Sequence, residues 1–199
     1  MKDQPIFKYP WDELEDYLEA EHQKKLTLLG YGSLMNAKSA SQTLSSHKRM
    51  NRKSVYASGV RRVFNYKMPE AAYSRYGNPV SIKHIAALNL LTTNDKNDSV
   101  NGILQSVDVS DLGRFREREV GYQLSPVNTF DWKTRKRIDC PVYALELTNP
   151  ETDILPHLYY LEVCSEGALS ISQEFQRAFY ETTFLADLET KLIDWIEGK

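Results

Sequence analysis

The stretch from Leu26 to Asn36, Leu-Thr-Leu-Leu-Gly-Tyr-Gly-Ser-Leu-Met-Asn, constrains the fold more than any other part of the chain. Its apolar start, Leu26 to Leu29, predicts a buried strand. That strand must end at Gly30-Tyr31-Gly32-Ser33, where the paired glycines let the backbone turn sharply and expose its N–H groups. Ser33 adds a hydroxyl donor, and Met35 to Leu44 can start a helix. A strand, a glycine turn and a helix start together cradle a carboxylate, a phosphate or an oxyanion. Without a ligand the same pattern is a plain tight connection. Three sharper motifs fail here. A dinucleotide fingerprint needs a glycine where Met35 stands, and a P-loop needs a Gly-Lys-Ser/Thr that the chain lacks. A nucleophile elbow needs glycines where Tyr31 and Met35 stand, so Ser33 is not expected to form an acyl-enzyme.

Composition narrows the class. The 199 residues, 41% hydrophobic and 26% charged, fit a soluble globular chain with a substantial core. A net charge of −2 gives no bulk attraction to nucleic acid or acidic membranes. No apolar run is long enough to span a membrane, and the polar start lacks a signal-peptide core. Two cysteines, Cys140 and Cys164, make no disulfide framework, so a reduced, cytoplasmic protein is expected. Nothing in the sequence sets an oligomeric state.

Along the chain, residues 1–10 read as an irregular arm and 11–23 as an amphipathic helix carrying Trp11, Leu14 and Leu18. The basic run 46–53 reads as a solvated loop rather than a nucleic-acid patch, because no binding motif accompanies it. Residues 54–68 read as one long strand bent near Gly59, and 69–84 as an excursion loop. Ala86 to Leu91 and Asn101 to Val109, separated by a polar turn, suggest an antiparallel hairpin. A short helix over Ser110 to Arg118 precedes two strands, Tyr122 to Thr129 and Cys140 to Leu147, with an exposed basic loop over 131–137 between them. The tail predicts three helices, from Leu155 to Ala168, around Phe175 and Phe179, and around Leu192 with Asp187 as its N-cap. This is a single α+β domain over 1–199: arm and helix to 25, mainly sheet over 26–150, and helices over 151–199.

The chemistry-bearing residues are few. His22, His47, His84 and His157 stand in no ligand-spaced motif, so no metal is expected. Cys164 and His157 lie seven residues apart, but a buried thiol is the plainer reading than a nucleophile pair. In Phe115-Arg-Glu-Arg-Glu-Val-Gly-Tyr122, Glu117 and Glu119 sit where a helix gives way to a glycine and a strand. A carboxylate there can enter a pocket, gain a raised pKa and act as a general base; the alternative is a surface cluster with Arg116 and Arg118.

The order of these segments resembles the γ-glutamylcyclotransferase-like family over about residues 26–185. Tyr31-Gly-Ser-Leu34 resembles its substrate-cradling loop, and Arg118-Glu-Val-Gly-Tyr122 its Arg-Glu-x-Gly-Tyr segment. Val100 to Val107 resembles the strand leading into that segment, and Tyr159 to Ala168 with Phe175 and Phe179 the closing helices. The resemblance implies a mixed, mostly antiparallel, curved or barrel-like sheet with flanking and C-terminal helices. It implies cofactor-free, metal-free conversion of a small anionic γ-glutamyl substrate to 5-oxoproline and a free amine. Glu119 would be the general acid/base; Tyr31, Gly32, Ser33, Leu34 and Tyr122 would bind substrate. A non-catalytic binding module for a γ-glutamyl or amino-acid ligand is the competing reading. Neither needs a nucleic-acid or membrane partner.

Overall fold

The apolar run at Leu26–Leu29 becomes an inner strand, paired along both edges, with Leu26, Leu28 and Leu29 buried. The computed structural model describes residues 11–20, 25–44, 52–93, 95–147 and 149–198. In it, β1 (Lys25–Gly30) runs antiparallel to β5 (Ser99–Asp108) and parallel to β8 (Tyr143–Leu147). With β2 (Lys53–Ser58), β6 (Tyr122–Pro126) and β7 (Asn128–Asp131) they form a six-stranded sheet ordered β6-β8-β1-β5-β2-β7. A second sheet is ordered β4-β3-β9, from Ala86–Thr92, Val60–Lys67 and Thr183–Leu185. Leu28, Leu29, Val63, Phe64, Leu88, Phe115, Phe175 and Phe179 are all buried, each worth roughly 1.5–3 kcal/mol of transfer free energy. The architecture is the α+β arrangement expected, mixed and mostly antiparallel.

Two expected strands are divided instead. The segment read as one strand over 54–68 breaks at Gly59, whose φ of 74° suits a residue without Cβ. The part before it, β2, joins the large sheet, and the part after it, β3, joins the small one. The hairpin expected between 86 and 109 does not form: β4 pairs with β3, whereas β5 pairs with β2 and β1. The polar turn follows the same corner as Gly59. Gly59 N donates to Asp98 O (2.8 Å), and Thr93 N donates to Gly59 O (2.8 Å). Arg61 grips Asp98 across that corner at 2.9 and 3.1 Å.

The strand expected over Tyr122 to Thr129 likewise becomes β6 and β7, on opposite edges of the large sheet. Only Val127 separates them, and its N–H donates to Val142 O (2.9 Å). The sheet therefore curls until its edges meet end to end, yet no ladder closes it. The strand expected from Cys140 begins only at Tyr143.

Helix α1 (Trp11–Ala20) buries Leu14 and Leu18. The expected arm over 1–10, the end of the first helix beyond residue 20, and residues 46–51 of the basic run lie outside the described residues. The described end of that run is not solvated throughout: Arg52 donates to Leu34 O (2.8 Å) and Met35 O (2.6 Å). Asn36 Oδ1 caps α2 (Ala37–Ser41) by accepting from Lys38 N and Ser39 N. The excursion over 69–84 contains a short helix, α3 (Tyr73–Tyr76). Helix α4 (Leu112–Arg118) leads to β6.

In the tail, α5 (Leu158–Leu169) is capped by His157 and α6 (Gln173–Glu181) by Ser172. A Cβ on Gly167 would lie 2.5 Å from Asn36 N, so α5 meets the turn after β1 backbone to backbone. Asp187 does not cap the last helix. Its Oδ1 accepts from the N–H groups of Glu189 (3.0 Å) and Thr190 (2.9 Å), closing a turn after β9. Helix α7 (Leu192–Glu197) starts later, with Lys191 as its N-cap residue. An Asx turn satisfies the same side chain that a helix start would, so the residue type alone does not separate the two.

Candidate active site

Where β1 ends, the chain leaves the ladder and its carbonyls are gripped from behind. Tyr31 O accepts from Arg62 Nη1 (3.0 Å), Gly32 O from Met35 N (2.8 Å), and Ser33 O from Asn36 N (3.1 Å). Leu34 O accepts from Gln105 Nε2 (2.6 Å) and Arg52 Nη2 (2.8 Å). With these acceptors engaged, Ser33–Met35 closes as a single 3-10 turn. Among the described residues, the N–H groups of Gly32, Ser33 and Leu34 donate to no protein acceptor. That asymmetry leaves a row of donors for an anion.

Gly32 is required by close approach. A Cβ there would stand 2.7 Å from the Tyr160 hydroxyl and 3.4 Å from Leu88 Cδ1. Gly32→Ala is therefore expected to push Tyr160 outward, at a cost of about 1–3 kcal/mol. A double-mutant cycle with Tyr160→Phe, read by thermal denaturation, checks this: removing the hydroxyl should recover most of the loss. Additive losses would show that the two positions do not meet.

Glu119 arrives from the other side. It follows α4, its N–H still donating to Phe115 O (3.0 Å). Gly121, at φ 83°, then swings the chain into β6, so Glu119 and Tyr122 line one pocket. This pocket, of about 30 Å3, is lined by Leu29, Leu88, Leu145 and Tyr160 as well as Tyr31 to Leu34, Glu119 and Tyr122. It is far narrower than the roughly 300–1,000 Å3 of typical small-ligand sites. Glu117 is exposed and takes no part in the lining.

Arg118 fixes the carboxylate. Its Nε lies 2.9 Å from Glu119 Oε1, with the two side chains 3% and 14% exposed. The rest of its guanidinium donates to Ser39 O (2.9 Å), Thr43 Oγ1 (2.9 Å) and Ser33 Oγ (3.0 Å). One cation thus joins Glu119 to the glycine turn. Burial still pushes the Glu119 carboxyl above its ordinary pKa of 4.5, against the pull of Arg118 and Arg75.

The phenols are walls and donors rather than bases. Tyr31 OH donates to Leu145 O (2.6 Å) and Tyr122 OH to Leu88 O (2.6 Å). Burial holds Tyr31, Tyr122 and Tyr160 well above the usual phenol range, and the Glu119 charge adds to this. No nucleophile pair forms at Cys164. Burial pushes its thiol up to about 12, while His157 Nδ1 accepts from Tyr160 N and its Nε2 contacts Gly77 O. Among the described residues, no three His, Cys, Asp or Glu side chains gather as a metal site would require.

No protein-family model and no curated protein sequence matches the chain. Solved structures do. YkqA from Bacillus subtilis superimposes with a TM-score of 0.60 at 17% identity, over 82% of this chain and 55% of its own. A gamma-glutamyl cyclotransferase superimposes with a TM-score of 0.57 at 14% identity, over 88% of this chain and 99% of its own. The chain has the γ-glutamyl cyclotransferase-like fold. It spans about half the length of YkqA and nearly the whole of the cyclotransferase. Identities this low carry the fold and leave residue roles to the geometry.

Within that fold, all six site residues expected from the sequence line one pocket: Tyr31, Gly32, Ser33, Leu34, Glu119 and Tyr122. Sequence reasoning gave no role to Arg118, Tyr160 or Arg62. Arg118 lies in the Arg-Glu-x-Gly-Tyr segment and Tyr160 in the first tail helix, but their contacts to residues 33 and 32 join distant parts of the chain. Arg62 did carry a signal, a charge inside an apolar strand pattern.

Proposed function

We propose that the protein is a γ-glutamylcyclotransferase-like enzyme that turns a γ-glutamyl amino acid or amine into 5-oxoproline and a free amine. The substrate's α-amine attacks its own γ-carbonyl carbon. Glu119 takes the proton that the attacking nitrogen loses and returns it to the leaving nitrogen as the old C–N bond breaks. The N–H groups of Gly32, Ser33 and Leu34 hold the oxyanion and the substrate's carboxylate. Holding amine and carbonyl in contact supplies much of the acceleration, because ring closure is then unimolecular. No enzyme nucleophile, metal or cofactor enters the scheme. The site is proposed to serve in a reducing cytoplasm; no described helix is long and apolar enough to cross a membrane.

The observation that carries this reading is a mostly buried carboxylate of raised pKa in the lining of the same pocket as three amides that, among the described residues, donate to no protein acceptor. The test is incubation of the protein, with a chelator present, with a panel of γ-glutamyl compounds, followed by detection of 5-oxoproline. A second reading is the non-catalytic γ-glutamyl or amino-acid binding module. The ion pair at Arg118 favours it, since a guanidinium 2.9 Å away makes a carboxylate a weaker base. Ligand binding without 5-oxoproline would select the module.

The pH dependence follows from the raised Glu119 pKa. As a base Glu119 must be ionised, so kcat/KM should fall on the acid side with a midpoint above the ordinary 4.5. The sign for stability is opposite. Between the unfolded and folded pKa values the folded state binds more protons, so stability declines as pH rises through the folded value. Glu119→Gln should remove that decline from a series of urea titrations, and a decline that persists would assign it elsewhere.

A further inference from the structure

We infer that Arg62 strengthens the cradle from behind: acting through the Tyr31–Gly32 peptide, it makes the Gly32 N–H the leading donor to the oxyanion. Arg62 is then a positioning residue for the proposed reaction. This inference rests on the cyclotransferase reading and deepens it.

A trans peptide sets its carbonyl and its N–H on opposite sides, and the peptides of the turn are trans. Each free amide of the turn therefore shares a peptide with a carbonyl that points the other way. All three of those carbonyls are engaged. The Gly32 N–H is backed by Tyr31 O, which accepts from Arg62 Nη1 (3.0 Å). The Ser33 N–H is backed by Gly32 O, which accepts from Met35 N (2.8 Å), and the Leu34 N–H by Ser33 O, which accepts from Asn36 N (3.1 Å). A donor on the carbonyl oxygen draws electron density across the peptide and strengthens its N–H as a donor, by about 10–30% per bond. Two of the three backing donors are neutral amides. The one behind Gly32 is charged, and a charged donor makes roughly twice the bond of a neutral one.

The charge of Arg62 is not neutralised. Its other bonds go to neutral oxygens of Thr183, Thr182, Asn101 and Phe179. Among the described residues no carboxylate forms an ion pair with it. An apolar side chain of similar volume fills a purely structural site of this kind at lower cost. A buried cation without a counter-ion instead favours negative charge that develops on the far side of the peptide it holds. Arg118 offers no such excess, because Glu119 lies 2.9 Å from it. The oxyanion therefore gains most at Gly32, and the Ser33 and Leu34 amides are left for the substrate's carboxylate.

Two experiments test this. The first uses the parent alone: 1H–15N spectra are recorded as sodium formate, a small carboxylate, is added. The Gly32 amide proton should move further downfield than those of Ser33 and Leu34. A larger movement at either of those, or none at all three, overturns the ranking. The second is kinetic. Arg62→Gln should lower kcat about tenfold with KM little changed, less than the roughly 10²–10³ lost when an oxyanion donor is removed outright. Arg62→Lys, which keeps the charge, should recover part of that loss, and it decides the matter if Arg62→Gln does not fold. Thr183→Val is the control for stability alone. It removes the acceptor 2.7 Å from Arg62 Nε and leaves the bond to Tyr31 O, so Tm should fall while the folded protein keeps its kcat. Equal kcat losses in Thr183→Val and the Arg62 variants, or parental kcat in folded Arg62 variants, overturn the role of Arg62. If the parent releases no 5-oxoproline, the cyclotransferase reading fails, and the formate shifts, repeated in Arg62→Lys, still decide: a Gly32 response equal to the parent's overturns the role of Arg62, and a diminished one supports it.

Discussion

Replacing Arg62 with methionine should destabilise the protein by about 3–5 kcal/mol, the scale for breaking a buried charged network by removing one partner. Arg62 is fully buried, and its acceptors come from three stretches of the chain, at residues 31, 101 and 179–183. Its Nε donates to Thr183 Oγ1 (2.7 Å), and its Nη1 to Tyr31 O (3.0 Å) and Asn101 O (2.8 Å). Its Nη2 donates to Asn101 Oδ1 (2.8 Å), Thr182 Oγ1 (3.0 Å) and Phe179 O (3.3 Å), and the guanidinium lies 4.3 Å from the Phe179 ring centroid. Burial lowers its pKa from the usual guanidinium range to about 9, which leaves it charged at neutral pH. Methionine fills much of the space yet strands those oxygens without donors in a dry site. A chain of this size loses about 2–4 °C in Tm per kcal/mol, so the midpoint should fall by about 10 °C. Arg62→Lys, keeping the charge but not the fork, should fall between. A loss below about 1 kcal/mol in urea denaturation would mean that water or rearrangement replaces the network. Because Arg62 also holds the Tyr31 carbonyl, any folded variant should bind anions less well at the turn.

Replacing Glu119 with glutamine should lower turnover by about 10²–10⁴ with the fold intact. Glutamine keeps the length of the side chain and an oxygen for the Arg118 Nε–H. It removes the titratable proton that the reaction must pass from one nitrogen to the other. Stability should change by no more than about 1 kcal/mol at neutral pH, because loss of the ion pair is offset by relief of a buried charge. The neighbouring carboxylate is an internal control. Glu117 is exposed, outside the pocket, and its glutamine variant should turn over normally.

The sequence carried the type and order of the elements better than their partners. The apolar run at Leu26–Leu29 and the glycines after it specify a buried strand and a turn through local chemistry alone. Gly59 marked a bend, but whether the strand continues in one sheet or crosses to another depends on pairings far along the chain. Val127 gave no signal of its own, and Pro126 before it marks an edge or a break without saying which, so the split into β6 and β7 is set by where their partners lie. The same non-local choice defeated the 86–109 hairpin: β4 pairs with β3, while β5 is taken up between β1 and β2. At the site, only the resemblance to the Arg-Glu-x-Gly-Tyr segment set Glu119 apart from Glu117. Its coupling to the turn was not legible, because Arg118 and Ser33 meet across 85 residues. Nor did pattern reveal that the carbonyls of the turn are engaged by protein donors while its amides are not, since that depends on Arg62, Gln105 and Arg52 converging on it.

The most direct measurement is 5-oxoproline release, at saturating concentration of a γ-glutamyl compound that the parent turns over, by the parent, Glu119→Gln and Glu117→Gln. The three samples are first matched for folded content by circular dichroism. Turnover should fall by about 10²–10⁴ in Glu119→Gln and stay near the parental level in Glu117→Gln. Near-parental turnover in Glu119→Gln, or a collapse confined to Glu117→Gln, would contradict it.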